Sequence, residues 1–476
     1  MKILELTTEL LRWWQRVKTR IAPTAVMLLR AICVAAVAAS GGVWAQSSRE
    51  LYVSTRGDNR SDGSSPSDAL RTISEALSLA RPGDTVNVAA GVYHEQVVTV
   101  RGGEDGREIS IRSFNGAAII DGSALHWTIG TNQNQAMVEL RHPYVTVAGL
   151  TVQNSKNTGI LLDADHLTVQ DCRVVSTQLH AISTHTDHQT GRRKSGTMIR
   201  DILLQDNIVE RASLAGHSQA ISLIADGFSI SGNTVRNNHR EGIDIWLGAR
   251  HGEVAHNTVY GNYATGIYVD GATYIKIHHN VVYKNRAGIG VSSEDVHYVT
   301  RDVSVFDNVV YDNAQGGLFL WDDKWRAGHN GAQNVTLAYN TIIGNKYSII
   351  LSGSKNIANI QNNLGYATKA NFRNDSVDSS VNERANVWLT GLRGFLSVER
   401  KDFRLTEDSP AIDKGKALPA MQDYDGMAWE IENDFAGLSR IYGKSPDAGA
   451  FEYHGGDASQ KPELRAGRQT AAVRAL

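Results

Sequence analysis

The stretch NTVYGN (257–262), NVVYKN (280–285) and NVVYDN (308–313) decides how this chain folds. NTVRNN (233–238) precedes it, and the first asparagine of the unit recurs at Asn207, Asn233, Asn257, Asn280, Asn308, Asn340 and Asn363, in steps of 26, 24, 23, 28, 32 and 23 residues. Between asparagines run Ile243-Asp244-Ile245, Ile267-Tyr268-Val269, Ile289-Gly290-Val291 and Leu318-Phe319-Leu320. Self-similarity at this period marks a solenoid whose units bury their apolar faces only by stacking on one another. The units are rich in Val, Ile, Tyr, Asn and Gly, so they are coils of short strands rather than helix pairs. An asparagine amide donates and accepts at once, so copies at one turn of every coil bond along the axis. Asparagine also tolerates the left-handed backbone of a tight turn.

With these coils the chain resembles the right-handed parallel β-helix proteins of the pectate lyase type, over about Leu51 to Tyr453. The resemblance implies an all-β fold, a single-stranded right-handed parallel β-helix. It does not choose a reaction, because that scaffold serves lyases, hydrolases, uronate epimerases and proteins without catalysis. Near the start, Ser67 is expected to cap a helix over about 67–80, in which Ala69, Leu70, Ile73, Ala76, Leu77 and Ala80 keep helical spacing before Arg81-Pro82-Gly83-Asp84. Such a helix plugs the open end of a solenoid. The opening, with Pro-Gly-Asp-Thr-Val at 82–86, is similar to that of many secreted bacterial polysaccharide lyases. Past Asn363 the repeat fades; the segment at about 400–453 resembles the closing segment of secreted β-helix proteins and is expected to cover the other end. Residues 454–476 are polar and aperiodic and read as a disordered tail.

The first 45 residues differ in kind. Arg30 precedes an apolar run from Ala31 to Ala39 that ends at Val43-Trp44-Ala45, which reads as a signal peptide (1–45) cleaved after Ala45; Met27 is an alternative start and an uncleaved anchor the rival reading. Residues 46–453 are then the β-helix domain, periplasmic or secreted, with no stable membrane span after cleavage. Cleavage removes six basic and two acidic residues, taking the net charge from −2 to −6. A mildly acidic chain without clustered Lys and Arg is not a nucleic-acid binder. Cys33 leaves with the signal, and Cys172, in the ladder position that asparagine fills in later coils, reads as a small buried filler.

Period two along the strand that follows each small residue turns Ile and Val inward and stacks the intervening residues into two outer columns. One is Leu161, Ser183, Ser222, Asp244, Tyr268, Gly290 and Phe319; the other is Asp163, His185, Ile224, Trp246, Asp270, Ser292 and Trp321. Outward tryptophans on a flat sheet suit sugar rings, which makes Trp246 and Trp321 substrate-binding candidates, with His185 beside them. The loops after this strand are the long ones, and insertions repeated on one side of a solenoid wall in a groove that fits a polymer.

Lytic cleavage of a uronate polymer needs its carboxylate neutralised, a base for the C5 proton and an acid for the leaving oxygen. In related lyases calcium or a basic side chain does the first task. Asp244, Asp270, Glu294 and Asp295 are the candidate ligands for a calcium ion here. Asp244, Asp270, His217, His239, Arg250 and Tyr268 are the candidate catalytic residues, with His217 and His239 at matching positions in successive coils. The Lys–Arg pair of the chondroitinase B and alginate lyase relatives and the Asp-Pro-His-Asp motif of the periplasmic mannuronan epimerases are not found. The expectation is β-elimination of an acidic polysaccharide, with C5 epimerisation, or a non-catalytic glycan-binding or export role, as alternatives.

Overall fold

Short strands with β-branched side chains on one face cannot bury that face alone and so wind into coils that stack. The computed structural model describes residues 48–185, 196–322 and 331–455; the expected signal peptide, Cys33 and all but the first two residues of the expected tail lie outside them. The described chain is a right-handed parallel β-solenoid of about 11 turns with very little helix. Each coil supplies three strands. The coil of Asn257, for example, comprises Ile243–Trp246, Arg250–Ala255 and Thr258–Tyr260, and each pairs in parallel with its counterparts in the coils before and after. Three faces result: a wall sheet, a second sheet and a third sheet, named in chain order. The interior is filled by vertical stacks such as Val235, Val259, Val282, Val310 and Ile342, all fully buried, each contributing about 1.5–3 kcal/mol by leaving water.

The asparagines stack as their spacing implies. Asn257 Nδ2 donates to Ile230 O at 2.8 Å and to Asn280 Oδ1 at 3.0 Å, while its Oδ1 accepts from the backbone and side-chain nitrogens of Asn233 at 2.9 and 3.0 Å. The chain of bonds runs on through Asn308, Asn340 and Asn363. The second asparagine of each unit forms a parallel ladder from Asn238 through Asn262, Asn285 and Asn313 to Asn345. One expectation is corrected. The left-handed residue of the turn is not the ladder asparagine but the one before it: Asp206, Gly232, His256, His279, Asp307, Tyr339 and Asn362 all have positive φ. The ladder asparagines are not among the left-handed residues; their side chains, aimed along the axis, do the bonding. Cys172 takes the first rung, fully buried, with its N–H on Asn207 Oδ1 at 3.0 Å; burial pushes its thiol up to about 12, so it is inert packing.

The helix is shorter than expected, Ile73–Leu79, and is capped by Thr72 rather than Ser67. Leu70 bridges Val53 in parallel, so the backbone is extended there; Pro66–Asp68 forms a separate 3-10 turn capped by Ser65. Ile73, Ala76 and Leu77 join the main core, as a plug should. The C-terminal segment does something other than expected. Phe403, Leu405, Ala411, Ala448, Ala450 and Phe451 pack on Val309, Tyr311, Ile343 and Leu364, outward residues of the third sheet, and Asp423 and Trp429 reach Lys276 of the second sheet. The segment runs along the side of the solenoid because those two faces carry apolar and aromatic outer residues. Among the described residues, no helix is long and apolar enough to cross a membrane.

Asn257→Ala removes two donors and two acceptors from a fully buried ladder, at a cost on the order of 3 kcal/mol. Chemical denaturation checks it; a loss below about 1 kcal/mol means the ladder is incidental.

Candidate functional site

On the wall sheet the strand register realises the first expected column in full and the second from Trp246 to Trp321. Leu161, Ser183, Ser222, Asp244, Tyr268, Gly290 and Phe319 are successive register partners, and so are Trp246, Asp270, Ser292 and Trp321. Asp244 and Trp246 therefore face outward beside Tyr268 and Asp270 of the next coil, with Ile243 and Ile245 turned into the core. Gly290 is where the Tyr268 ring rests: a Cβ there would lie 2.8 Å from Tyr268 Cδ2. The Trp246 indole N–H donates to Ser222 Oγ at 3.1 Å, and Phe319 and Trp321 pack with ring centres 6.2 Å apart.

The wall is less open than period two implies. Asp244 is only 3% exposed and Ser292 is fully covered, while Tyr268, Asp270, Trp246 and Trp321 are partly exposed. Long side chains and the loop after Ser293 lean over the small ones. Tyr268 OH donates to Glu294 Oε1, and Glu294 N–H donates to Asp270 Oδ1 at 2.7 Å. Among the described residues, Asp244 Oδ1 has no hydrogen-bond partner. Burial first, then the charges of Glu241, Asp270 and Glu294, hold the Asp244 carboxyl well above the usual carboxylate range. Burial, then the charges of Glu294 and Asp270, push the Tyr268 phenol well above its ordinary value. Of the four carboxyl groups in this patch, Asp244 is the most deeply buried and the one held up by its neighbours.

The other candidates are dispersed. His185 Nδ1 lies 3.0 Å from Asp163 Oδ2 in the coil below, further down the same wall. His217 and His239 are exposed in the turns before the wall strands, the first with Nδ1 at 3.1 Å from Ala215 O. Arg250 is beyond the turn at 247–249, where it opens a second-sheet strand and binds Asp226 Oδ2 at 2.7 Å, so it does not stand over Asp244. It lines a cavity of about 750 Å³ with Asp165, Arg200, Asp226, Tyr298 and Arg301. Of the expected calcium ligands, Asp244, Asp270 and Glu294 share the patch just described, without forming a group of three ligand atoms within 4.8 Å among the described residues. Asp270 and Glu294 accept the bonds just given and Asp295 Oδ1 accepts the His297 N–H at 2.7 Å; the group of at least three ligand atoms within 4.8 Å found among the described residues is a histidine one instead.

Two elements escaped the sequence reading. Glu241 precedes the strand, so period two does not place it with Asp244, yet it is the largest charge acting there. Arg200, Asp226, Arg250, Thr273 and Arg301 form one column. Each stands seven residues before a ladder asparagine, so the repeat itself carried that signal.

Comparison with known proteins agrees with this geometry. The family described as "Right handed beta helix region" matches residues 98–251 and 193–327. The uncharacterized protein YwoF of Bacillus subtilis (strain 168) is 30% identical over 335 residues, 62% of this chain and 68% of that one. The chain belongs to the right-handed β-helix family. Among solved structures, the pectate lyase Pel9A superposes with a TM-score of 0.56 at 16% identity, covering 85% of this chain and 97% of that one. The GH136 lacto-N-biosidase from Eubacterium ramulus superposes at 0.54 and 14% identity, covering 70% and 68%. At those identities the likeness is one of fold.

A buried carboxyl whose pKa is raised weakens the fold as pH climbs, because the unfolded chain releases the proton first. Asp244→Asn removes that dependence. Its melting temperature should match the parent's near pH 4 and exceed it at pH 7 to 8; equal values across the range would mean that Asp244 is not held protonated.

Proposed function

We propose that this chain is a carbohydrate-active enzyme that cuts a polysaccharide lying along the wall sheet, with the carboxyl cluster around Asp244 as its acid–base group. The observation that carries the reading is the unpartnered, buried Oδ1 of Asp244 among Glu241, Asp270 and Glu294. A carboxyl group left without a partner is costly to bury and marks a working site more often than a structural one. Trp246 and Trp321, partly exposed on the same face, offer platforms for sugar rings. The C-terminal segment lies against the second and third sheets, on other faces of the coil.

Breaking a glycosidic bond needs an acid for the leaving oxygen and a base for the attacking water. A cluster that sets a buried carboxyl with a raised pKa beside carboxyl groups at the open surface offers both. Asp270 and Glu294, at the partly open surface, meet the sugar, and Asp244 beneath them holds the proton. As the C1–O bond breaks, the proton passes to the leaving oxygen and the water surrenders its own to the carboxylate. Asp244 and Asp270 occupy neighbouring strands two residues apart in register, which puts their Cα atoms about 8 Å apart.

β-Elimination of a uronate polymer is the second reading. It is favoured by the column of Arg200, Arg250 and Arg301 beside the wall, which offers guanidinium forks to sugar carboxylates. In that reading Asp244, Asp270 and Glu294 are the groups to hold a calcium ion, with the unpartnered Asp244 oxygen as a donor, and calcium would supply charge neutralisation. Epimerisation begins with the same proton abstraction, and export or binding without chemistry leaves the buried carboxyl without a purpose.

Incubation with neutral and acidic polysaccharides, scored for reducing ends, for ultraviolet absorbance of unsaturated products and by proton NMR for epimerised residues, separates these outcomes. Asp270→Asn should lower kcat on the order of a hundredfold or more, and Trp246→Ala should chiefly raise KM. Activity lost with EDTA and restored by calcium assigns the cluster to a cation; activity indifferent to EDTA assigns it to protons. No change in any polymer, or full activity in Asp270→Asn, rejects the enzyme reading.

A further inference from the structure

At the turn between the second and third sheets, away from the wall, three histidines of two successive coils meet. His256 and His279 are the left-handed residues immediately before ladder asparagines Asn257 and Asn280, and the backbone N–H of His256 bonds to His278 O at 3.3 Å. Each of His256, His278 and His279 offers one ring nitrogen, all within 4.8 Å of one another. Their ring centres lie 4.9 to 6.0 Å apart.

The outer contacts fix the tautomers. His278 Nε2 lies 2.6 Å from Glu253 Oε1 and His279 Nε2 lies 3.1 Å from the Asp434 carbonyl oxygen. Carboxylate and carbonyl oxygens only accept, so both Nε2 atoms carry hydrogen. Neutral rings so fixed turn both Nδ1 lone pairs inward, yet those two nitrogens stand 2.8 Å apart. Lone pairs at that distance repel unless a cation lies between or beside them, either an extra proton or a metal ion. A carboxylate on one imidazole and a backbone carbonyl on the next are the partners that orient metal-bound histidines and make them better donors.

We infer that His256, His278 and His279 form a binding site for a divalent first-row transition ion of the zinc class. Three imidazoles suit zinc, cobalt or nickel and do not suit calcium or magnesium, which take oxygen. Zinc–nitrogen bonds of about 2.0–2.1 Å in a tetrahedron need nitrogens about 3.3 Å apart, so the Nδ1 pair opens by about half an ångström to admit the ion. His256 is exposed, which leaves the fourth position to water. The ion would pin one coil to the next. Through the Asp434 carbonyl and Phe435, whose ring stacks on His279 at 5.7 Å, it would also tie the C-terminal segment to the solenoid. This site shares no residue with the carboxyl cluster of the wall, so it stands whether or not that cluster is catalytic.

The test uses the full chain stripped with EDTA and titrated with cobalt(II). One equivalent should bind and give the intense visible bands of a four-coordinate ion, zinc should displace it, and zinc should raise the melting temperature. His256→Asn, which keeps a side chain suited to the left-handed backbone at this exposed position, and His256→Ala should both remove the bands. His279→Ala should do the same, and Glu253→Gln, an orienting residue at the surface, should weaken cobalt binding tenfold or more. A spectrum unchanged from free cobalt, competition by calcium as strong as by zinc, or parent-like affinity in His256→Ala overturns the site.

Discussion

The constraint on which the rest depends is the stacking of fully buried asparagine amides along the solenoid axis. In the interior an amide without partners costs more than the net gain of making one bond, so every ladder asparagine must meet the one above and the one below. That requirement locks each coil to its neighbours in a single register. A slip by one residue would leave the amides unpaired and turn every Ile and Val of the wall strands to the outside. The aromatic stack of Tyr260, Tyr283 and Tyr311 on the third sheet, with ring centres 4.7 and 4.8 Å apart, follows from the same register.

Register is also what builds the wall. Asp244, Trp246, Tyr268 and Asp270 are neighbours because Ile243 pairs with Ile267 in the next coil. Precision of this kind is available to a site placed on strands of a rigid scaffold. The same device builds the arginine column and the histidine group on other parts of the coil. Three patches of different chemistry thus arise from three positions in one repeat, while the C-terminal segment occupies the apolar outer residues of the third sheet.

The sequence made the fold and both columns legible because period and ladder are local signals that repeat. Asn257, Asn280 and Asn308 announce the coil, and the alternation Ile243-Asp244-Ile245 announces the face. Burial was not legible. Whether Asp244 meets water depends on how Tyr268, Trp246 and the loop through Glu294 lean, and side chains leaning across strands leave no periodic trace. Arg250 was misplaced for a related reason: the turn at 247–249 swings the chain onto the next sheet within four residues of Trp246. The C-terminal segment lacks the repeat, so its preference for the outer faces of the second and third sheets over the open end could be seen only in three dimensions. His278 and His279 lie off the wall, at the turn between the second and third sheets, so the wall columns carry no signal for them.

The protonation of Asp244 joins register, burial and chemistry, and it can be observed directly. Carbon-13 NMR of aspartate side-chain carboxyls, titrated over pH 3 to 9 and assigned by comparison with Asp244→Asn, follows it without reference to any substrate. A carboxyl resonance absent from that variant that titrates well above the surface aspartates is the predicted result. An Asp244 carboxyl that ionises with the surface aspartates would contradict the account, because the wall would then be an ordinary solvated face.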